Sequence, residues 1–362
     1  MKNKAVIIGF IIVFLSLNLS GCQDFFGNNG TITYQSHPTK IRYTLSYGYI
    51  INCTGTGKYN INYKCDIPDE IFNTQIISTI FHNNEFEDKI LATHNRMKVW
   101  DITSSETKDY DLGVTTTVQD DSYLISDLNG ENALSIQEIN DQYPEIVTKY
   151  CQAQSNESTT FINPNDPEVI EVATDLLNNA GTDNSFLVTK DIFIWLKQQT
   201  TYQIHIGNNN AQPATFTLQC KTGDCDDLSF LYISLCRSIK IPSRFIRGFL
   251  IEENNAIPHA WVEVFVGREI GDNGWIPIEC AGTSNNIESE VNQNFGLEGA
   301  DHLRLFTDDG TNESLNVSLS GLTYFTYGSR NLQTTSFAEL SNYVVLESNE
   351  LVIDENGHRE YI

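Results

Sequence analysis

The chain has 362 residues, 40% of them hydrophobic and 11% aromatic, and its 47 acidic against 22 basic residues give a formal charge of −25. This composition is typical of a globular protein of about two domains and excludes a disordered or fibrous one. The strong negative charge repels phosphate groups, and no cluster of Lys or Arg interrupts it. We therefore expect no nucleic-acid partner and no basic surface that docks on anionic lipid.

Residues 1–22 have the pattern of a secretion signal. Two lysines precede an apolar run that ends near Leu17 and is short for a transmembrane helix. The segment ends in Leu-Ser-Gly-Cys, which resembles the lipobox of bacterial-type lipoproteins, whose cysteine carries the lipid. We expect an extracytoplasmic body anchored to the membrane at the cell surface by a lipid on Cys22, with residues 23–30 as a tether. A plain signal peptide or an uncleaved anchor is the alternative.

The segment 31–150 is rich in Thr, Ile, Tyr, Val and Asn. Alternating stretches such as 41–47 and 60–63 are separated by turn signals, for example at 54–57 and 127–130. This spacing predicts a sandwich-like all-β domain rather than alternating βα units. The segment contains few residues with catalytic potential, so we interpret it as a binding or spacer domain.

From residue 151 onward the sequence pattern becomes helical. Asp166 is placed to cap a helix that begins at Pro167, and a second helix is predicted over about 186–199. A third, amphipathic helix is predicted to begin at Cys225 and to end before Pro242.

Cys225 is the candidate nucleophile. In the first turn of a helix, unpaired N–H groups and the helix dipole favour a thiolate. The neighbouring Asp224, Asp226 and Asp227 act in the opposite direction, because their carboxylates raise the pKa of the thiol. A nucleophilic Cys225 therefore needs a histidinium nearby.

The pairing of two predicted strands identifies a histidine that meets this need. Residues 259–266 and 275–279 read as two strands joined by a Gly/Asp/Asn loop. Antiparallel pairing about a centre near residue 269 places His259 opposite Glu279. A carboxylate beside an imidazole fixes its tautomer and stabilises its cation, so Cys225, His259 and Glu279 form a predicted triad for nucleophilic acyl transfer.

Three sequence blocks carry a family resemblance. They are Gly-Asp-Cys-Asp-Asp at 223–227, leading into the Arg-containing segment 237–248, then His-Ala-Trp-Val-Glu at 259–263, then Trp-Ile-Pro-Ile-Glu at 275–279. In this order and spacing they resemble the core of the transglutaminase-like superfamily over about residues 165–282. The resemblance implies an α+β fold, a papain-like transglutaminase core preceded by the all-β sandwich-like domain. It also implies Cys225 as nucleophile, His259 as base and Glu279 as the third member.

The sequence departs from the family pattern at the third position. The family usually has aspartate followed by proline there, whereas this chain has Glu279 followed by Cys280. Glutamate keeps the charge but is one methylene longer. The oxyanion is expected to be held by the backbone N–H of Cys225 and one further donor, for which Gln219, Tyr202 and Trp195 are equal candidates.

Seven cysteines remain besides Cys22, and this odd number outside the cell predicts disulfides plus a free thiol. The seven are Cys53, Cys65, Cys151, Cys220, Cys225, Cys236 and Cys280. Cys53–Cys65 is the most local pairing, and a Cys220–Cys225 bridge is the alternative to a catalytic Cys225. Because the chain has no CxxC pair and its histidines are scattered, we expect no metal and no other cofactor.

The sequence therefore predicts residues 151–282 as a transglutaminase-like domain and residues 283–362 as an extension packed on its core. The function predicted is a surface-anchored, cysteine-dependent acyl-transfer enzyme that forms a thioester intermediate. Hydrolysis is favoured over cross-linking because water needs no second binding site, and the substrate classes are protein, peptide or cell-envelope polymer. The alternatives are a catalytically silent binding module and a disulfide-stapled structural protein.

Overall fold

The computed structural model describes residues 25–26, 31–90, 95–156, 158–204, 211–267, 269–282, 285–319 and 321–362. The expected secretion signal, its Cys22 and most of the expected tether lie outside these residues. Within the tether, Phe25–Phe26 form a short strand that pairs with Ile32–Thr33. In the described part of the chain, no helix is both long and apolar enough to span a membrane.

The secondary structure changes along the chain from strands to mixed elements and back to strands. The first part contains β1 (Phe25–Phe26), β2 (Ile32–Thr33), β3 (His37–Thr54), β4 (Tyr59–Ile67), β5 (Thr74–Phe81), β6 (Glu87–Ile90), β7 (Arg96–Ser104), β8 (Tyr110–Asp121) and β9 (Tyr123–Leu124). The middle part contains α1 (Ile136–Gln142), α2 (Pro144–Tyr150), β10 (Gln154–Asn156), β11 (Thr159–Ile162), α3 (Pro167–Ala180), α4 (Ser185–Gln199), β12 (Thr201–Tyr202), α5 (Ala214–Cys220), β13 (Thr222–Gly223), α6 (Cys225–Ser238), β14 (Ser243–Glu252), β15 (Asn255–Phe265), β16 (Trp275–Ile278), α7 (Ile287–Asn294), β17 (Leu297–Glu298) and β18 (His302–Thr307). The last part contains α8 (Asn312–Leu319), β19 (Leu322–Thr326), β20 (Asn331–Asn349), β21 (Leu351–Ile353) and β22 (Arg359–Tyr361).

Strands β3 to β8, together with β19 and β20, build two four-stranded sheets that face each other across a shared hydrophobic core. Their strand orders are β19-β4-β7-β6 and β20-β3-β8-β5, and all pairs are antiparallel. Along β3 and β4 every second side chain is buried, as expected for strands with one face on a core. The sandwich-like architecture predicted for this region is therefore present, although helices α1 and α2 already occupy residues 136–150.

The second unit has the α+β organisation that the sequence predicts. Helix α6 packs against an antiparallel sheet of order β16-β15-β14-β18, and its apolar side chains share one hydrophobic core with those of the sheet. Asp166 caps α3, accepting from the N–H groups of Glu168 and Val169, as the sequence predicts. This helix-on-sheet core brings the start of α6 to the sheet and confirms the papain-like fold class.

The predicted C-terminal extension is divided between the two units. Strand β18 adds an edge to the α+β sheet, whereas β19 and β20 pair with β4 and β3 of the sandwich. Sequence pattern locates such strands but does not reveal partners so far away along the chain. Residues 283–362 therefore do not form a separate layer on the core, because two of their strands complete the sandwich.

No disulfide joins the seven cysteines of the described residues, so the predicted bridges are absent. Instead of pairing with Cys65, the Cys53 thiol points to the carbonyl oxygen of Glu106 and receives a hydrogen bond from Arg330 Nη1 at 3.3 Å. Cys65 is buried and contacts the carbonyl oxygen of Asp66. Cys220 is exposed and unbridged, which removes the Cys220–Cys225 alternative for this structure.

Candidate active site

Cys225 is the first residue of α6, in the position that the sequence predicts. Asp224 caps this helix and forms a capping box with Asp227, so the turn before the thiol is held from both sides. The Cys225 side chain is half-buried and packs against the core. Its sulfur receives a hydrogen bond from the backbone N–H of Ala260, which lowers the pKa of the thiol and places it against β15.

His259 and Glu279 meet at the other side of this site. His259 Nε2 lies 2.6 Å from Glu279 Oε2, and the ring is nearly buried. The hairpin register differs from the predicted one by two residues, because Val262 rather than Ala260 lies opposite Ile278. Since a shift of two residues keeps every side chain on the same face, the predicted contact is still made.

The Glu279 carboxylate is charged. Burial by itself would raise its pKa, but the charges and hydrogen bonds of His259 and His302 outweigh burial, and the pKa lies well below its ordinary value. The second oxygen, Oε1, accepts a hydrogen bond from the backbone N–H of Ala281 at 2.6 Å. A fixed carboxylate of this kind orients an imidazole and stabilises its cation.

The immediate surroundings of Cys225 oppose ionisation of its thiol. Burial raises the pKa of Cys225 well above its ordinary value, and the carboxylates of Asp226, Asp224 and Glu279 add to this effect. This agrees with the sequence expectation that the acidic turn disfavours a thiolate. A cationic His259 beside the thiol is therefore the group that a reactive Cys225 requires.

Sequence reasoning missed His302, the second imidazole on Glu279. Its Nε2 lies 3.0 Å from Glu279 Oε2 and its Nδ1 lies 2.7 Å from Asp301 Oδ1. The residue begins β18, which pairs with β14 close to Gly248; a Cβ on Gly248 would collide with the carbonyl oxygen of Leu303. The alternating pattern of 302–307 could have predicted a strand, but nothing local indicates its neighbour.

The three candidates for the second oxyanion donor are now distinguishable. Gln219 donates to Glu168 at 3.2 Å, and the ring of Trp195 is covered by Lys221 Nζ at 4.9 Å from the ring centroid. Tyr202 is half-buried near Cys225. Burial, with the nearby Cys225 and Asp224, raises the pKa of its hydroxyl, so the group keeps its proton and can donate it.

Arg244 and Arg247 are engaged in ion pairs. Arg244 Nη2 lies 2.5 Å from Glu263 Oε2, and Arg247 pairs with Asp66 of the sandwich. These ion pairs give both arginines a structural role in holding β14.

Two groups of side chains bring three potential metal-binding atoms within 4.8 Å of one another. They are His259 with Glu279 and His302, and Asp224 with Cys225 and Asp226. In the first group both imidazoles already share one carboxylate oxygen, so hydrogen bonds account for the cluster. That the site works without a metal or other cofactor stays a prediction.

Comparison with solved structures supports the fold. A candidate cysteine protease from Cytophaga hutchinsonii superposes with a TM-score of 0.54 at 15% identity, over 85% of this chain and 99% of that one. At this identity the likeness concerns the fold alone. The periplasmic domain of TgpA from Pseudomonas aeruginosa reaches a TM-score of 0.36 at 10% identity, over 68% of this chain and 90% of that one. Red sea bream transglutaminase reaches 0.30 at 12% identity, over 92% and 60%; the last two scores are too low to support an argument.

Comparison of the sequence itself gives a family but no curated relative. None of the curated proteins matches the chain. The model of the transglutaminase-like superfamily matches residues 171–280, a range that includes Cys225, His259 and Glu279. Residues 171–280 therefore form a transglutaminase-like domain.

Proposed function

We propose that the protein is a cysteine-dependent acyl-transfer enzyme that acts on peptide or carboxamide bonds outside the cytoplasm. The single observation that carries this proposal is the 2.6 Å contact between His259 Nε2 and Glu279 Oε2. His259 lies on β15, next to Ala260, whose backbone N–H donates to the Cys225 sulfur. The contact occupies Nε2, which leaves Nδ1 as the ring nitrogen that can accept the thiol proton. The match of residues 171–280 to the transglutaminase-like model and the secretion-type N-terminus support the same assignment.

The reaction proceeds in two halves. His259 removes the thiol proton, and the Cys225 thiolate attacks the carbonyl carbon to form a tetrahedral oxyanion. The oxyanion is held by the backbone N–H of Cys225 and the hydroxyl of Tyr202. The C–N bond then breaks, the leaving amine takes the proton from His259, and a thioester remains on Cys225.

The acceptor of the acyl group defines the activity. With water, His259 removes one proton and the hydroxide attacks the thioester carbonyl carbon. The C–S bond then breaks and His259 returns the proton to the thiolate, so the products are a carboxylic acid and the free thiol. With a primary amine the same steps give a new amide. We propose hydrolysis of a protein, peptide or cell-envelope polymer, because water needs no second binding site, with the chain anchored at the cell surface by a lipid on Cys22.

A first experiment measures the pH dependence of iodoacetamide labelling at Cys225 in the purified, unreduced chain by peptide mass spectrometry. We expect fast labelling below pH 7 that His259→Ala abolishes, because only a histidinium next to the thiol can overcome its acidic surroundings. Incubation with a peptide mixture and a fluorescent primary amine then distinguishes the activities. Release of new carboxylates indicates hydrolysis, and incorporation of the amine indicates cross-linking.

The second candidate function is a catalytically silent binding module. One observation favours it, the strong elevation of the pKa of Cys225 by burial and by Asp226, Asp224 and Glu279. A silent site predicts slow labelling that rises only at alkaline pH and that does not change in His259→Ala. That result would refute the enzyme proposal.

A further inference from the structure

Two imidazoles share one oxygen of Glu279. Oε2 is 2.6 Å from His259 Nε2 and 3.0 Å from His302 Nε2, while Oε1 accepts from the N–H of Ala281 at 2.6 Å. The carboxylate is therefore fixed at three points, and only one of these contacts belongs to the proposed triad.

His302 is itself held on three sides. Its Nδ1 lies 2.7 Å from Asp301 Oδ1, and its ring stands edge-on to Trp261 with centroids 5.2 Å apart at 88°. Trp261 is in turn fixed by a hydrogen bond from its Nε1 to Glu298 at 2.8 Å. Because both ring nitrogens of His302 face carboxylates, which accept only, the ring must carry two protons and a positive charge to make both bonds.

The length of Glu279 explains why a second anchor matters. Compared with the aspartate usual in the family, glutamate has one more rotatable bond, so a single contact to His259 leaves its carboxylate free to adopt several positions. His302 restricts that freedom through a second contact to the same carboxylate oxygen. Its positive charge also offsets the negative charge that Glu279 brings into a buried site.

We infer that the Asp301–His302 pair is a positioning device of the site: it holds the Glu279 carboxylate so that the carboxylate orients His259 toward Cys225. This inference rests on the proposed function, since it assigns a role within the same triad. It makes His302 a positioning residue rather than a catalytic one, because His302 acts through Glu279.

Because His302 is charged, its positioning role should affect the pH dependence of Cys225 labelling, which packing alone would not change. The rings of His302 and His259 lie 5.4 Å apart, so a cation on one disfavours a cation on the other. The titratable groups facing His302 are Asp301, Glu279 and His259. The phenols near Asp301 are those of Tyr43, Tyr343 and Tyr361, and burial raises the pKa of each, so they stay neutral.

The test replaces His302 by glutamine, which keeps a donor for Glu279 and removes the charge. The full chain and its His302→Gln variant are labelled with iodoacetamide from pH 4 to pH 10, and rates at Cys225 are measured. We expect the limb of the profile assigned to His259 to move upward by about one pH unit, because a nearby cation is lost. We also expect the plateau rate to fall about tenfold: glutamine lacks the charged second ring nitrogen that Asp301 holds, so Glu279 and with it the imidazole of His259 are less well placed.

His358 provides a matched control. Its Nδ1 lies 2.7 Å from Asp127 Oδ1, the same kind of pair on the surface, so His358→Gln should leave profile and rate unchanged. If His302→Gln does not fold, Asp301→Asn replaces it. The Asp301 side chain is 49% exposed, and its loss should lower the plateau rate by a smaller factor.

The outcomes separate this inference from the function on which it rests. A wild-type profile with a His259-dependent limb, together with a His302→Gln profile equal to that of His358→Gln, overturns the positioning role alone. A wild-type profile insensitive to His259→Ala overturns the proposed function and the positioning role together.

Discussion

Asp120 is a buried carboxyl group of the sandwich, on strand β8. Its side chain is 1% exposed, and its Oδ2 accepts a hydrogen bond from the Tyr43 hydroxyl at 2.5 Å. Burial raises the pKa of Asp120 to about 7 despite hydrogen bonds from Tyr43 and Thr74. Because its pKa in the folded state is above its unfolded value, the chain loses stability as pH rises from about 4 through 7.

The substitution Asp120→Asn should remove this loss of folding stability at high pH. A difference of about three pKa units corresponds to about 4 kcal/mol as an upper limit, and an amide oxygen can still accept from Tyr43. We expect the variant to melt at a higher temperature than the wild type at pH 8 and at a similar temperature near pH 4, measured by calorimetry. Asp101→Asn on the exposed face of β7 is the control. An equal melting temperature at pH 8 would contradict the prediction.

At the residue scale, the proposed triad could be predicted because its members lie on two local motifs. A helix start and a hairpin place Cys225, His259 and Glu279 with little freedom, and even a register error of two residues kept the correct face. His302 could not be predicted in this way. Its contact with Glu279 depends on the pairing of β18 with β14, which no local sequence pattern predicts.

At the element scale, the first turn of α6 combines a stable helix start with an unfavourable charge for the thiol. Asp224 caps the helix, and burial together with a shared hydrogen bond to Asp224 raises the pKa of Asp226. The carboxylates of Asp224 and Asp226 lie within 4.8 Å of the Cys225 sulfur and place negative charge beside it. Helix stability and thiolate formation thus impose opposite demands on the same turn.

The double variant Asp224→Asn/Asp226→Asn should separate these demands. Asparagine caps a helix as well as aspartate does, so the melting temperature should change little, while the pKa of Cys225 should fall by about one unit. We expect about tenfold faster iodoacetamide labelling at pH 7. Asp141→Asn/Asp175→Asn, on exposed positions of α1 and α3, matches the change in net charge. Unchanged labelling in the site variant would show that the pair does not control the thiol.

At the scale of the whole molecule, the two units are not independent. Phe249 and Ile251 of β14 and Leu303 of β18 belong to the same hydrophobic core as the sandwich residues. The sandwich also borrows an edge strand for each sheet from the C-terminal part of the chain. The sequence pattern predicted a β-rich first unit and an α+β second unit. It could not predict that C-terminal strands complete the sandwich, because hydrophobic periodicity locates a strand but does not identify a distant pairing partner.

Removal of residues 322–362 should therefore unfold the sandwich rather than trim a tail. Loss of β19 and β20 removes the strands that pair with β4 and β3. Core residues of the remaining strands, such as Cys53, which lies opposite Leu332 of β20, then become exposed. We expect trypsin to cleave the truncated chain within 31–124 at concentrations that leave the wild type intact. An insertion in the turn at 327–330, which retains both strands, is the control. A truncated chain as resistant as the control would refute this interdependence.

The pairing of β20 with β3 also dictates the order of folding events. Its partners, from Asn331 opposite Thr54 to Asn349 opposite His37, are separated by about 280 to 310 residues along the chain. Contacts of such high contact order form slowly, because a very long loop must close before they contribute free energy. The domain whose sequence comes first is thus the last to be completed, and a nascent chain carries unpaired strand edges until residues 322–349 have been synthesised.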